Sequence, residues 1–250
     1  MSGNLRGSFC GDWPELTQDT QRTHPLVDPL VVAIDLMQVT VRPELLDERE
    51  RTRGARLRTP ELQSTYLAAH TALRQVLGWY LARDPATLRF TIDAHGKPRL
   101  DDSAVRFNLS HASAAALVAV GTADHLGVDL EYLDRLRDGE QLAERMLAPV
   151  ELVAFHALPA AERDVALLRT WTRKEAVLKA LGVGLPGGME HVVIAQQPLR
   201  LMGDLGVFPQ LAELRLNDLP VSAGYAAALC QGSRQQAPTL RRWHAKHVHC

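Results

Sequence analysis

Two carboxylates stand two residues apart in LGVDLEYL (126–133), Asp129 and Glu131. On a strand, side chains i and i+2 leave the same face, so the pair would sit side by side. Like charges so placed repel, and burying them costs energy unless a cation or base intervenes. A hard divalent ion such as Mg2+ wants a few carboxylate oxygens together with waters and phosphate oxygens. The plainer alternative is the solvent face of an edge strand, with Val128 and Leu130 turned inward. A second pair, Glu175 and Lys179 in RTWTRKEAVLKALG (169–182), is four apart and shares a helix face with Trp171. An exposed pair of this kind contributes ~0.3–0.5 kcal/mol. Along the edge of a stripe holding Trp171, Leu178 and Leu181, it also suits a cleft wall.

Other residues have local chemistry but no fixed role. His111 follows Ser110 in FNLSHAS, yet neighbours on a strand point to opposite faces, so they form no dyad. No G-x-S-x-G elbow presents the serine. The histidine reads as a packed, hydrogen-bonded residue or a phosphate contact. Lys97, in HGKPRL, is a hairpin lysine that could offer a point charge to phosphate. Five arginines fall within RERTRGARLR (49–58), beside Asp47, Glu48 and Glu50. A solvated helix face is the default reading there; Arg53, Arg56 and Arg58 lack acidic neighbours and are the anion candidates. Neither a P-loop nor a Rossmann glycine fingerprint is present. His244, His247, His249 and Cys250 read as a mobile tail with adventitious metal affinity.

The elements that must position these residues follow from periodicity. VVAIDLMQV (31–39) reads as a strand, and PELQSTYLAAHTALRQVLGWYL as a helix with Gly78 near its end. LRFTIDAHGKPRL is a strand, a turn and a continuation; FNLSHASAAALVAVG (107–121) is a strand pair or a broken strand. The second half replays the order. VALLRTWTRKEAVLKALG is a helix ending at Gly182, and HVVIAQQPLRLM and VSAGYAAALC follow as strands. The reading is an α+β fold of two similar halves, a pseudo-twofold duplication with a cleft between them. Its divisions are a loose arm (1–28), halves at 29–125 and 126–232, and a tail (233–250).

Bulk composition limits the classes. With 250 residues, 46% hydrophobic and 23% charged, the chain is long enough for one large or two modest cores. A net charge of −1 argues against nucleic-acid binding by the protein as a whole, so any anion site is local. Three scattered cysteines fit a reducing compartment. The absence of a signal-like segment or a membrane-length apolar run leads to the expectation of a cytoplasmic protein without membrane contact.

Taken in order, GKP (96–98), FNLSHA (107–112), GVDLE (127–131) and WTRKEAVLKALGVGL (171–185) resemble the successive motifs of the Sfp-type 4′-phosphopantetheinyl transferases, over roughly residues 45 to 230. The resemblance implies two α+β halves with the active site between them, working as a monomeric pseudo-dimer. It implies transfer of the phosphopantetheine arm of coenzyme A to a serine of an acyl, aryl or peptidyl carrier protein, with release of adenosine 3′,5′-bisphosphate. By position it places Asp129, Glu131 and Glu175 around Mg2+ and Lys179 on phosphate. It makes Lys174 a second cation and gives Lys97, Ser110 and His111 to the nucleotide. Glu151, in RMLAPVE, matches a further acidic position, and Glu175, Glu151 or a water held by either is the implied proton acceptor. One departure stands out: Ser64 or Thr65 occupies a position where the family carries a base that grips the 3′-phosphate. Arg56, Arg58 or His70 are the candidates to compensate. The segment 133–147 is the expected carrier-docking surface. A catalytically silent carrier- or coenzyme A-binding module of the same fold is the alternative.

Overall fold

A computed structural model describes residues 9–16, 29–101, 103–134, 136, 138–183, 188–196, 199–232, 234 and 236–243. The first strand, β1 (Leu30–Asp35), is apolar on both faces because both faces are covered. A capped pair of helices follows. α1 (Glu48–Ala55) opens on a capping box in which Asp47 and Glu50 satisfy each other's backbone N–H groups. α2 (Pro60–Leu81) starts with Thr59 as its cap and Pro60 in its first turn, and ends at Ala82 in the left-handed region.

Two antiparallel hairpins come next, β2 (Phe90–Ile92) with β3 (Pro98–Leu100), and β4 (Arg106–Ala112) with β5 (Ala115–Gly121). The 107–121 segment is thus a strand pair. Then β6 (Leu126–Tyr132) leads to three helices, α3 (Gly139–Met146), α4 (Pro149–His156) and α5 (Ala160–Leu181). A hairpin of β7 (Val192–Gln196) and β8 (Leu199–Gly203), then β9 (Leu214–Asp218), β10 (Tyr225–Gly232) and β11 (Thr239–Arg242) complete the described elements.

The two main sheets are β11-β1-β5-β4 and β6-β10-β9. Alternation along the strands builds layers. Leu30, Val32 and Ile34 of β1 face α2, while Val31 and Ala33 join Val128, Leu130, Ala227 and Leu229 in a core between the sheets. Ala228 and Cys230 of β10 face the other way, onto α5. The α+β class is therefore as expected, with a long helix on the outer face of each sheet.

Two terminal segments depart from the composition-based reading. Residues 9–16, assigned to a loose arm, bury Phe9, Cys10, Trp13 and Leu16. Trp13 Nε1 donates to the Pro220 carbonyl at 2.8 Å. In the segment assigned to a tail, β11 pairs in parallel with β1. Polar composition misled because the few large apolar residues in each segment do the packing. His244, His247, His249 and Cys250 lie outside the described residues. The expected docking segment also turns inward: Met146 and Leu147 are buried, and Leu136 and Leu142 pack on the same core as α5.

Candidate functional site

β6 and α5 meet at a glycine. A Cβ on Gly127 would lie 2.2 Å from the Ala176 carbonyl oxygen and 2.4 Å from the Ala180 nitrogen, so only a bare backbone fits there. This close approach brings the acidic strand against the helix carrying Glu175 and Lys179. Asp129 is buried, and its Oδ1 accepts from Lys179 Nζ at 2.6 Å and from Ser110 Oγ at 2.8 Å. Lys179 Nζ also reaches Ser110 Oγ at 3.1 Å. Glu131 Oε1 accepts from the indole N–H of Trp171 at 3.2 Å. The carboxylates therefore face the helix, not solvent.

Glu131 and Glu175 are both pushed up to about 7, by burial first and then by the charge of Asp129, against the opposing pull of Lys179. Among the described residues, the buried oxygens Asp129 Oδ2 and Glu175 Oε1 at this site have no hydrogen-bond partner. Such atoms are costly unless a cation meets them. Among the described residues no group of three or more His, Cys, Asp or Glu side chains forms a ready-made metal cluster. The chemistry of the donors nonetheless fits Mg2+, a hard ion that is held by carboxylate oxygens together with phosphate and water.

β4 joins this group to the first half. Its Asn108 and Ser110 project from one face and substitute for a strand partner. Asn108 Oδ1 accepts from Val128 N at 2.8 Å, and Ser110 Oγ from Leu130 N at 3.3 Å. Ser110 is thus engaged with β6 and Asp129. Phe107, Leu109 and His111 leave the other face and, together with Asn108, line a cavity of about 890 Å³. His111 is held below the usual histidine range by desolvation, then by His70 and Lys179.

The cavity is walled by α1, α2 and the β2–β3 hairpin. Arg49 and Arg53, one helical turn apart, line it, as do Ser64, Thr65, Tyr66 and His70; Arg56 and Arg58 are exposed outside its lining. His70 stacks on Tyr66 with ring centroids 4.1 Å apart, and its Nδ1 lies 3.0 Å from Glu50 Oε1. Glu50 Oε2 accepts from Arg74 Nε at 2.8 Å, and Arg74 also donates to Asp47 and to the Leu88 carbonyl. Glu50, Arg74 and Asn108 escaped the sequence reading. The D-x-x-E capping box and the N-x-S alternation in FNLSHA were the signals that could have found two of them.

Besides Arg56 and Arg58, three more expected site residues are placed elsewhere. Lys174 is fully buried and donates to Glu151 Oε2 at 2.6 Å, the Met146 carbonyl at 2.7 Å and the Met189 carbonyl at 3.0 Å. Glu151 also accepts from Ala148 N and Ile194 N, both at 2.8 Å. The charges acting on Lys174 are Glu151 and Glu190, whereas those acting on Glu175 are Asp129, Lys179 and Glu131. Adjacent helix residues point ~100° apart, so the KE dipeptide divides between the core and the site. Lys97 turns away from the cavity, its Nζ donating to the Leu126 carbonyl at 3.0 Å and the Lys179 carbonyl at 2.5 Å.

An α+β protein in which a carboxylate–lysine group lies at the seam of two sheets, with a cavity nearby whose lining sets Arg49 and Arg53 beside Asp47, Glu50 and Glu61, is the class so defined. A family model of the 4′-phosphopantetheinyl transferase superfamily matches residues 125–230. The chain is 38% identical over 157 residues to the 4′-phosphopantetheinyl transferase HetI of Nostoc sp., covering 61% of this chain and 66% of HetI. It is 35% identical over 101 residues to a holo-(acyl-carrier-protein) synthase of Acidithiobacillus ferrooxidans, covering 32% of this chain and 78% of that relative. It is 26% identical over 169 residues to the 4′-phosphopantetheinyl transferase ffp of Bacillus subtilis, covering 66% and 72% respectively. The chain belongs to the 4′-phosphopantetheinyl transferase superfamily. It spans just under two thirds of HetI, at 66%, and 62% of the Synechocystis sp. protein slr0495. No described helix is long and apolar enough to cross a membrane.

Proposed function

We propose that the chain transfers the 4′-phosphopantetheine arm of coenzyme A to a serine of an apo carrier protein, whether acyl, aryl or peptidyl, with Mg2+ and with release of adenosine 3′,5′-bisphosphate. The observation that carries this reading is the meeting of Asp129, Glu131, Glu175 and Lys179 from elements ~45 residues apart. In the reaction the serine oxygen bonds to the phosphorus bearing pantetheine, and the diphosphate bridge breaks. The electron pair leaves with the bisphosphate. Mg2+, held by Asp129, Glu131 and Glu175, would neutralise charge on the diphosphate.

The chain's own residues do the rest. Lys179 sits where it can stabilise charge gathering on the leaving bisphosphate. Glu175, or a water it holds, is the acceptor for the serine proton; its rise to about 7 belongs to the metal-free site, and bound Mg2+ would draw it down. Glu151 is less suited, because its oxygens already serve three donors. Arg49 and Arg53 bring positive charge, and His70 and His111 ring nitrogens, to the wall that would hold the nucleotide end, with Ser64 and Thr65 on the same wall. A duplication is supported by the recurrence β1-α2-β2-β3-β4-β5 and β6-α5-β7-β8-β9-β10, in which both long helices have 22 residues. A cytoplasmic monomer follows from the same reading.

Intact-protein mass spectrometry of an apo carrier incubated with the chain, coenzyme A and Mg2+ tests the proposal. A metal-dependent gain of one phosphopantetheine, lost in Asp129→Ala, supports it. No gain with carriers from several pathways, from a folded sample, leaves the silent binding module.

A further inference from the structure

The last turn of a helix leaves four carbonyls without intrahelical partners, and at the end of α5 they are residues 178–181. Leu178 O is met by the N–H groups of Gly182, at 2.8 Å in the left-handed conformation, and of Val183 at 3.2 Å. The next two carbonyls are met by side chains from outside the helix. Lys97, from the β2–β3 turn, takes Lys179 O at 2.5 Å, and His125, from the β5–β6 loop, faces Ala180 O through Nδ1 at 3.3 Å. Basic groups at a helix C-terminus also complement its dipole. The same Lys97 ammonium donates at 3.0 Å to Leu126 O, three residues before Asp129.

One ammonium group thus joins the main chain of Lys179 to the strand that carries Asp129 and Glu131, on the side where Gly127 admits no spacer. We infer that Lys97 is a positioning residue for the transfer reaction. It clamps the end of α5 to the start of β6 so that Lys179 Nζ is delivered to Asp129 and to the reacting phosphate, and it makes no contact with the nucleotide. Two further observations fit. Lys97 does not line the large cavity although its neighbours Gly96 and Pro98 do. Its amine is also desolvated, held down to about 8, which a solvent-facing hairpin lysine would not show. Small displacements of a group acting on phosphorus are expensive in rate, since an error near 1 Å can cost ~10²-fold.

The kinetic consequence rests on the transferase reading above; the clamp itself does not. The test is Lys97→Met in the full chain, with Lys97→Gln, which retains a donor, as the conservative variant. Three quantities are read: coenzyme A affinity by calorimetry, kcat for carrier modification, and amide hydrogen exchange over residues 176–183. The expected result is affinity within about twofold of wild type, kcat lowered at least tenfold, and faster exchange in that peptide, with Lys97→Gln partly restoring both. Affinity weakened tenfold or more with unchanged exchange would overturn the inference in favour of a nucleotide contact. Unchanged exchange and unchanged kcat would overturn it as well. If wild type transfers nothing to any carrier, the functional reading fails, and the exchange measurement still decides the clamp. Should Lys97→Met not fold, Lys97→Gln with His125→Asn reads the same peptide.

Discussion

Replacing Glu151 by Gln separates stability from chemistry. The Lys174–Glu151 pair is 2.6 Å apart, with side-chain exposures of 0% and 7%. Glu151 offers two oxygens to three donors, and glutamine offers one, so its amide N–H₂ must point at a donor while Lys174 keeps a buried charge. Removing one partner of a buried pair costs ~3–5 kcal/mol. Against a total stability of roughly 5–15 kcal/mol this is a large fraction. At about 2–4 °C per kcal/mol for a chain of this size, Tm should fall by roughly 6–20 °C. The double variant Lys174→Met, Glu151→Leu should recover only part. It removes both charges, but Ala148 N, Ile194 N, Met146 O and Met189 O then lose their partners. The assay is thermal and urea unfolding beside transfer kinetics normalised to folded protein, where kcat should change less than about threefold. A kcat lowered a hundredfold at unchanged Tm would refute this reasoning and put Glu151 at the reacting groups.

Lys179→Ala should lower kcat by ~10² or more, as for loss of one preorganised charge donor, and should lower Tm as well, because buried Asp129 loses its 2.6 Å partner; carrier mass spectrometry normalised to folded protein and thermal unfolding check both. Because folding raises Glu131 and Glu175 from 4.5 to about 7, metal-free protein should be most stable below pH ~4.5 as far as these groups act. That contribution should fade as pH rises through 7; urea midpoints from pH 5 to 8 measure it, and Glu175→Gln should flatten the decline while abolishing transfer. Mg2+ should raise the midpoint at pH 8 in wild type and not in Asp129→Ala. Gly127→Ala should cost about 1–3 kcal/mol or more, because its Cβ would meet backbone atoms of α5, and circular dichroism melts would show it.

Much of the seam between β6 and α5 was legible because it follows from two local periods. Asp129 and Glu131 share a strand face, and Glu175 and Lys179 share a helix face, whatever the rest of the fold does. The layered helix–sheet order was legible for the same reason, as in the unbroken apolar run of β1. What stayed hidden depends on neighbours distant in sequence. Lys174 looks like Glu175's companion until Met146, Glu151 and Met189 are placed around it. Lys97 reads as a surface hairpin lysine until the end of α5 arrives beside it. Asn108 reads as an ordinary strand residue until β6 presents an unpaired N–H. In each case a polar side chain is aimed by a backbone group that no spacing rule can locate.

The packed segment 9–16 bears on how the protein is prepared and trimmed. Phe9 lies against Tyr225, whose ring meets Tyr132 edge-on, next to Glu131. Glu15 bridges to Arg242 and forms a parallel bridge with it, tying this segment to β11 beside β1. A deletion guided by composition, starting at residue 29, would strip the cover from Val31, Leu117 and Leu229 and loosen the aromatic chain that ends one residue from the acidic strand's second carboxylate. Such a shortened protein should precipitate sooner and hold its acidic group less firmly, so an expression tag belongs ahead of residue 9 and not in its place.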